Sequence, residues 1–170
     1  GKVRLVDRDI VRLPDLQRQI LYDEEDVKNK LPKAKIAAEK LKKINSRVKI
    51  ESFILEVNSE NIKSLLKDAD LVINVLDNIE TRFIINRACV ENKIPWIHGA
   101  VHGSIGISMN IIPGKTACYR CLIEACPPQE KPIPIINTLP ITVASIQATE
   151  AFKILTQSPD VNTDLIYIDL

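Results

Sequence analysis

Apolar and polar positions change their period several times along the chain, and each change marks an element. The apolar run in "KVRLVDRD" predicts a short strand ending at Asp7, followed by a charged, proline-marked loop and a helical turn in "DLQRQIL". From Pro32 to Asn45, "PKAKIAAEKLKKIN" repeats as an amphipathic helix, with Ile36, Ala37, Leu41 and Ile44 at helical spacing and Pro32 suited to the first turn. "RVKIESFIL" alternates as a strand does, and "NSENIKSLLKDAD" opens a helix on an Asn/Ser cap signal. The continuous apolar run in "DADLVINVLDN" predicts a strand buried on both faces. "NIETRFIINRACVENK" returns to a helical period, with Phe83, Ile84 and Val90 among its apolar positions. "IPWIHGAV" and "SIGISMNIIPG" follow as strands, and a proline-rich loop runs from Pro127 to Pro140. "ITVASIQATEAFKILTQ" is then a helix and "DLIYIDL" a last strand. Strands alternating with helices predict an α/β fold, a mostly parallel sheet with helices on both faces.

Composition narrows the class without naming a chemistry. With 170 residues, 45% of them hydrophobic and 26% charged, the chain has the size and balance of one globular domain. A net charge of +1 lacks the basic excess of a nucleic-acid or membrane surface. Lysines cluster between Lys28 and Lys49, and the acids flanking them fit a solvated helix face. No apolar run reaches the roughly 18 residues of a membrane span, and no signal peptide is expected from the pattern read. Four unevenly placed cysteines fit a reducing, cytoplasmic setting. Gly1 leads almost directly into a strand pattern, which predicts a cut start.

In an open α/β sheet, ligands bind in the crevice beyond the carboxyl ends of the strands, where Asp7 and Asp77 stand. In a Rossmann-like nucleotide site, the strand after the glycine-rich loop ends in an acid that bonds the ribose hydroxyls. Asp7 suits that role if such a loop precedes Gly1, because no GxGxxG occurs in this chain. Asp7 and Asp9 suit turn formation as well. Asp77 directly precedes a helix, where Asp is a common N-cap. A carboxylate there is also able to hold Mg²⁺ beside a polyphosphate. Arg18 and Lys33 are the cations to watch, although each on its own fits a solvated surface charge. Lys33 falls in the first turn of the long helix, where its charge opposes the helix dipole unless an anion is near.

"KTACYRCLIEAC", Lys115 to Cys126, holds three of the four cysteines. Cys118 and Cys121 have the CxxC spacing of half a tetrahedral zinc site. His98 and His102 fall on a strand and its end, where packing or polar roles are expected over metal ligation. Cys126 is read as a third ligand, a reactive thiol or a loop residue, and Cys89 as core.

Taken together, "LVDRDIVRLPDLQRQIL", "PKAKIAAEKL", "DLVINVLDNIETRFIINRACV", "GAVHGSIG", "PGKTACYRCL" and "ASIQATEAFKIL" occur in the order typical of the MoeB/ThiF family. These are prokaryotic relatives of ubiquitin-activating enzymes, and the resemblance covers essentially the whole chain. It implies a Rossmann-like, ThiF-like adenylation domain over residues 1–170, incomplete at both ends, with a cysteine- and proline-rich crossover loop at 115–140. It implies an enzyme that uses Mg-ATP to adenylate the C-terminal glycine of a ubiquitin-like sulfur carrier protein of molybdopterin or thiamine type. Asp7 would bind the sugar, Arg18 and Lys33 the phosphate oxygens, and Asp77 the Mg²⁺. Arg18, Lys33 and Asp77 form the implied catalytic set, and Asp15 joins them in the nucleotide site. In zinc-bearing members a second CxxC follows a strand like "DLIYIDL". Cys118 and Cys121 would then be two ligands of a structural Cys₄ zinc completed beyond Leu170. A homodimer is implied too.

Three departures from the family qualify this reading. The glycine-rich loop and the arginine-bearing N-terminal segment are expected before Gly1, so this segment alone should bind ATP poorly. Asp15 stands where the family usually has Asn, and it would repel phosphate unless paired with Arg18 or a metal. The family's reactive cysteine would fall near Ile133, where no cysteine stands, leaving Cys126 as the one candidate in that loop. The alternative reading is a non-catalytic homologue that binds a carrier or partner. A nicotinamide-dependent oxidoreductase lacks an evident hydride-transfer site.

Overall fold

The computed structural model describes residues 1–123 and 134–170, and the chain divides into two compact units, 1–57 and 58–170. In the first unit, β1 (Lys2–Val6) is followed by a 3₁₀ turn at Leu13–Asp15, α1 (Glu24–Lys28), α2 (Lys33–Ile44) and β2 (Lys49–Phe53). β1 and β2 pair in parallel, Lys2 opposite Lys49 and Val6 opposite Phe53, so the two helices belong to a crossover connection. Across this pair Glu51 gathers Lys2, Arg4 and Lys49, which together hold its carboxyl down to about 2.

Asp23 caps α1, accepting from the Glu25 and Asp26 N–H groups, and Lys40 of α2 reaches both Asp23 and Asp26. α2 starts one residue later than its proline suggested, with Pro32 at the N-cap and Lys33 first in the helix. Its buried stripe comprises Lys33, Ala34, Ile36, Ala37 and Ala38, and the three alanines let the helix lie close to β2. Ile44, expected on that stripe, is 73% exposed, because burial along α2 is confined to its first half.

The second unit contains α3 (Ile62–Leu66), β3 (Val72–Asn74), α4 (Ile79–Glu91), β4 (Trp96–His102), β5 (Ile105–Ile111), α5 (Tyr119–Leu122), α6 (Thr138–Leu155) and β6 (Ile166–Asp169). Its sheet runs β3-β4-β5-β6 and is mixed: parallel between β3 and β4, antiparallel across β4–β5 and β5–β6. The β4–β5 hairpin turns at Gly103, whose φ of +61° favours glycine. α6 packs on β4 and β5 where those strands carry Gly99 and Gly106. A Cβ on Gly106 would lie 2.7 Å from Val143 Cγ2, and one on Gly99 would lie 2.6 Å from the Gln147 amide, so hydrogen at these positions permits the approach. Gln147, buried in α6, donates to the Asn74 and Ile97 carbonyls and ties the helix to β3 and β4.

β3 departs from the doubly buried strand read from the sequence. Only Val72–Asn74 are extended, and β3 lies at the edge of its sheet with Ile73 46% and the adjacent Val75 73% exposed. The core of this unit sits instead under β4 and β5, around Trp96, Ile97, Met109, Ile111, Tyr119, Leu139 and Val143. Among the described residues, no helix is long and apolar enough to cross a membrane.

Candidate active site

The loop between β1 and α2 folds onto its own charges. Asp7 follows β1, its N–H bonded to Phe53 O, and its Oδ1 accepts from the Asp9 N–H at 2.8 Å. Asp7 is therefore a turn former, with its second oxygen left for another partner. Burial lifts its carboxyl above the ordinary carboxylate range, partly offset by the Asp9 N–H and the charge of Lys33. The Asp9 carbonyl accepts the Lys33 N–H at 2.8 Å, and an isolated bridge joins Ile10 to Pro32, which brings the start of α2 back beside the end of β1. Lys33 is thus carried into the loop by backbone pairing and by its place at the head of α2.

Asp15, at the end of the 3₁₀ turn, is the hub of this cluster. Its Oδ2 accepts from the Arg12 N–H at 3.0 Å and from Lys33 Nζ at 3.1 Å. Its Oδ1 accepts from the Arg18 guanidinium at 3.2 Å, and the same guanidinium donates to the Pro14 carbonyl at 2.9 Å. Lys33 Nζ also lies 3.8 Å from Asp9 Oδ2. Tyr22 covers the cluster, donating its hydroxyl to the Lys33 carbonyl, and burial, with the charges of Asp7 and Asp15 behind it, pushes its phenol up to about 12. Asp7, Asp15, Arg18 and Lys33 are therefore brought together, and of the two partners expected for Asp15, Arg18 or a metal, Arg18 is paired with it.

Asp77 belongs to the second unit, on the turn from β3 into α4. It is not the helix cap: Asn78 takes that position with extended backbone, and its Oδ1 accepts the Thr81 N–H at 2.8 Å. The turn is braced from both sides. Asn74 Oδ1 accepts the Leu76 N–H at 2.9 Å, and the buried Arg82 donates to the Leu76 carbonyl. Asp77 itself is exposed and makes no hydrogen bond or ion pair among the described residues, so its carboxylate is unspent on the fold.

Cys118 is the N-cap of α5 and Cys121 lies in its last turn, their sulfurs 3.6 Å apart. Thiolates on a tetrahedral zinc with bonds of about 2.3 Å stand about 3.8 Å apart, so this pair already has the separation of one tetrahedron edge. Burial raises the Cys118 thiol, but hydrogen bonds from the Cys121 backbone and side chain, the Arg120 N–H and Asn86 outweigh it, and the thiol lies below its usual value. Tyr119, between the cysteines, is buried against Phe83, Trp96 and His98, and its N–H donates to Asn86 Oδ1 at 3.0 Å. That anchoring fixes the pair to α4 and β4. Among the described residues, no group of three or more His, Cys, Asp or Glu side chains is able to hold a metal ion. Cys126 and the position of Ile133 lie outside the described residues.

His98 packs as a core residue, whereas His102 is exposed at the end of β4. His98 is 1% exposed in the aromatic cluster, its imidazole held down to about 3 by burial and then by the charge of Arg82. Cys89 is fully buried, its thiol pushed up to about 12. The sequence reading missed Asn78, Arg82 and Asn86, which shape the Asp77 turn and seat the cysteines. A faint signal existed for two of them, since Arg82 and Asn86 fall at helical spacing beside the apolar Ile85, Ala88 and Cys89 on the buried side of α4, whereas Asn78 is its cap. A groove along α6 lined by Ile141, Thr142, Ser145, Ile146, Thr149 and Glu150 contains none of the predicted site residues.

Comparisons with known sequences agree on one kinship. The ThiF family matches residues 1–170. The sulfur carrier protein ThiS adenylyltransferase of Bacillus subtilis is 42% identical over 159 residues, covering 92% of this chain and 47% of that protein. The SAMP-activating enzyme E1 of Haloferax volcanii is 34% identical over 160 residues, covering 91% of this chain and 58% of that protein. A crystal structure of E. coli MccB with succinimide superposes with a TM-score of 0.85 at 23% identity, covering 100% of this chain and 54% of that one, a likeness of fold. The chain thus spans about half the length of these relatives, and over that span its sequence, its α/β architecture and its matched extent agree: it belongs to the ThiF family.

Proposed function

We propose that the intact protein adenylates the C-terminal glycine of a ubiquitin-like sulfur carrier protein at the expense of ATP, with residues 1–170 forming one ThiF-like domain. The observation that carries this reading is the convergence of Arg18 and Lys33 with Asp7 beyond the end of β1. Such a loop is suited to a sugar and a polyphosphate. Asp7 would accept from a ribose hydroxyl through the oxygen not used in its turn. Arg18 and Lys33 would neutralise phosphate oxygens as the carrier carboxylate attacks phosphorus, releasing pyrophosphate. No base is required, because a C-terminal carboxylate is already ionised near neutral pH. Holding the two reactants in line is most of the remaining task.

The exposed carboxylate of Asp77, without a hydrogen bond or ion pair among the described residues, fits a Mg²⁺ ion, which would supply charge neutralisation at the phosphates when bound. Cys118 and Cys121 fit half of a structural zinc site, the other two ligands coming from outside the described residues. A homodimer working in a reducing cytoplasm completes the reading, and the free thiols of Cys89, Cys118 and Cys121 are in keeping with it. A ThiS-like carrier is the partner to test first, because the relative named for ThiS is 42% identical against 34% for the SAMP-activating one.

A second reading, a non-catalytic carrier-binding homologue, draws on one observation: Asp15 already engages both cations. Mass spectrometry of a carrier incubated with the intact protein and Mg-ATP separates the two. An AMP adduct at the carrier C-terminus is expected, whereas carrier that binds but stays unmodified would favour the second reading.

A further inference from the structure

Asp15 is more than a paired anion. Its side chain is 9% exposed and that of Lys33 10%, while Arg18 is 27% exposed. Both carboxylate oxygens are committed: Oδ2 to the Arg12 N–H and Lys33 Nζ, Oδ1 to Arg18. One unit of negative charge thus sits between two cations at 3.1 and 3.2 Å, leaving the trio with a net charge of +1 in place of +2. The cations are not exhausted. A guanidinium has five N–H donors, and Arg18 spends one on the Pro14 carbonyl and one on Asp15. An incoming anion therefore meets oriented donors already holding an anion of their own.

Resting on the adenylation reading above, we propose that Asp15 is the internal counter-ion of the phosphate site. It holds Arg18 and Lys33 in place when the site is empty. Phosphate oxygens draw Arg18, the more exposed cation, away from it on binding, and it recaptures Arg18 as pyrophosphate leaves. Asp15 is in this sense a positioning residue that sets polyphosphate affinity and release, acting through the two cations without touching the reacting atoms.

The amide variant isolates this role. In Asp15→Asn, the side-chain oxygen is able to keep both the Arg12 N–H and Lys33, and only Arg18 is released, to a position with access to water. Pyrophosphate binding to the intact protein, measured by calorimetry at fixed ionic strength, should tighten roughly tenfold in Asp15→Asn as one opposing charge is removed. In ATP turnover the same variant should lower KM and also lower kcat, since product leaves more slowly. Equal or weaker pyrophosphate binding in Asp15→Asn overturns the proposal.

A second measurement does not depend on how the variant folds. A crystal structure of the wild type with pyrophosphate should show Arg18 drawn beyond ion-pair range of Asp15, more than about 4 Å. Retention of both ion pairs with phosphate bound would overturn it. A wild type that binds no pyrophosphate and forms no carrier adenylate sinks both this proposal and the function it rests on. Normal adenylation with unchanged Asp15→Asn affinity sinks the counter-ion alone.

Discussion

His98 is a neutral imidazole sealed between Trp96 and Tyr119, and its protonation is a test of that burial. Its pKa in the fold, about 3, lies below the ordinary value of 6.5, so under pH 6.5 the unfolded chain takes up a proton that the folded chain does not. Stability is then complete above pH 6.5 and falls by about 1.4 kcal/mol per pH unit as the pH drops towards 3. Urea unfolding should show a loss of roughly 2 kcal/mol between pH 6.5 and 5, and His98→Gln should flatten that slope. Parallel slopes in the two proteins would contradict the burial account. At this scale the sequence was informative where chemistry and position combine. Lys33 stood out because a cation at the head of a helix is electrostatically out of place, and in the fold it faces two carboxylates. Arg82 and Asn86 did not stand out. Their partners are a backbone carbonyl in a turn and an N–H on another helix, which no local pattern encodes.

The contact of α6 with β4 and β5 explains why two strand glycines are needed, and it makes a prediction at the scale of elements. Gly106→Ala would drive a methyl against Val143 and Leu139, at 2.7 and 2.8 Å before relaxation, and should cost roughly 1–3 kcal/mol in thermal or denaturant unfolding. An unchanged midpoint would mean that α6 shifts freely over the hairpin. The helix is also held by Glu150, whose carboxylate accepts from Asn110 at 2.6 Å, the Asn162 N–H at 2.9 Å and Lys153 at 2.7 Å. Helix and strand periods were plain in the sequence for α2, α4 and α6, since each repeats over three turns or more. For β3 the extended run is shorter than its apolar stretch and Ile73 and Val75 are exposed in this chain, since a continuous apolar run records hydrophobicity but not what lies beside it. Strand direction was likewise hidden, because the tight turn at Gly103 that makes β5 antiparallel looks like any other break between strands.

For the whole molecule, stability and chemistry are separable. The proposed zinc clip concerns stability: elemental analysis of the intact protein should find bound zinc, and Cys118→Ser should abolish it and lower Tm more than it lowers adenylation. Unchanged zinc stoichiometry would show that this pair is not a ligand set. The proposed chemistry assigns Arg18 and Lys33 to phosphate and Asp77 to Mg²⁺, and ATP–pyrophosphate exchange tests it most directly. The intact wild type should exchange pyrophosphate in a Mg²⁺- and carrier-dependent manner. Asp77→Ala should reduce that exchange by several powers of ten while its unfolding curve stays that of the wild type, because among the described residues Asp77 makes no hydrogen bond or ion pair. Near-normal exchange in Asp77→Ala, or none in the wild type, would contradict the account.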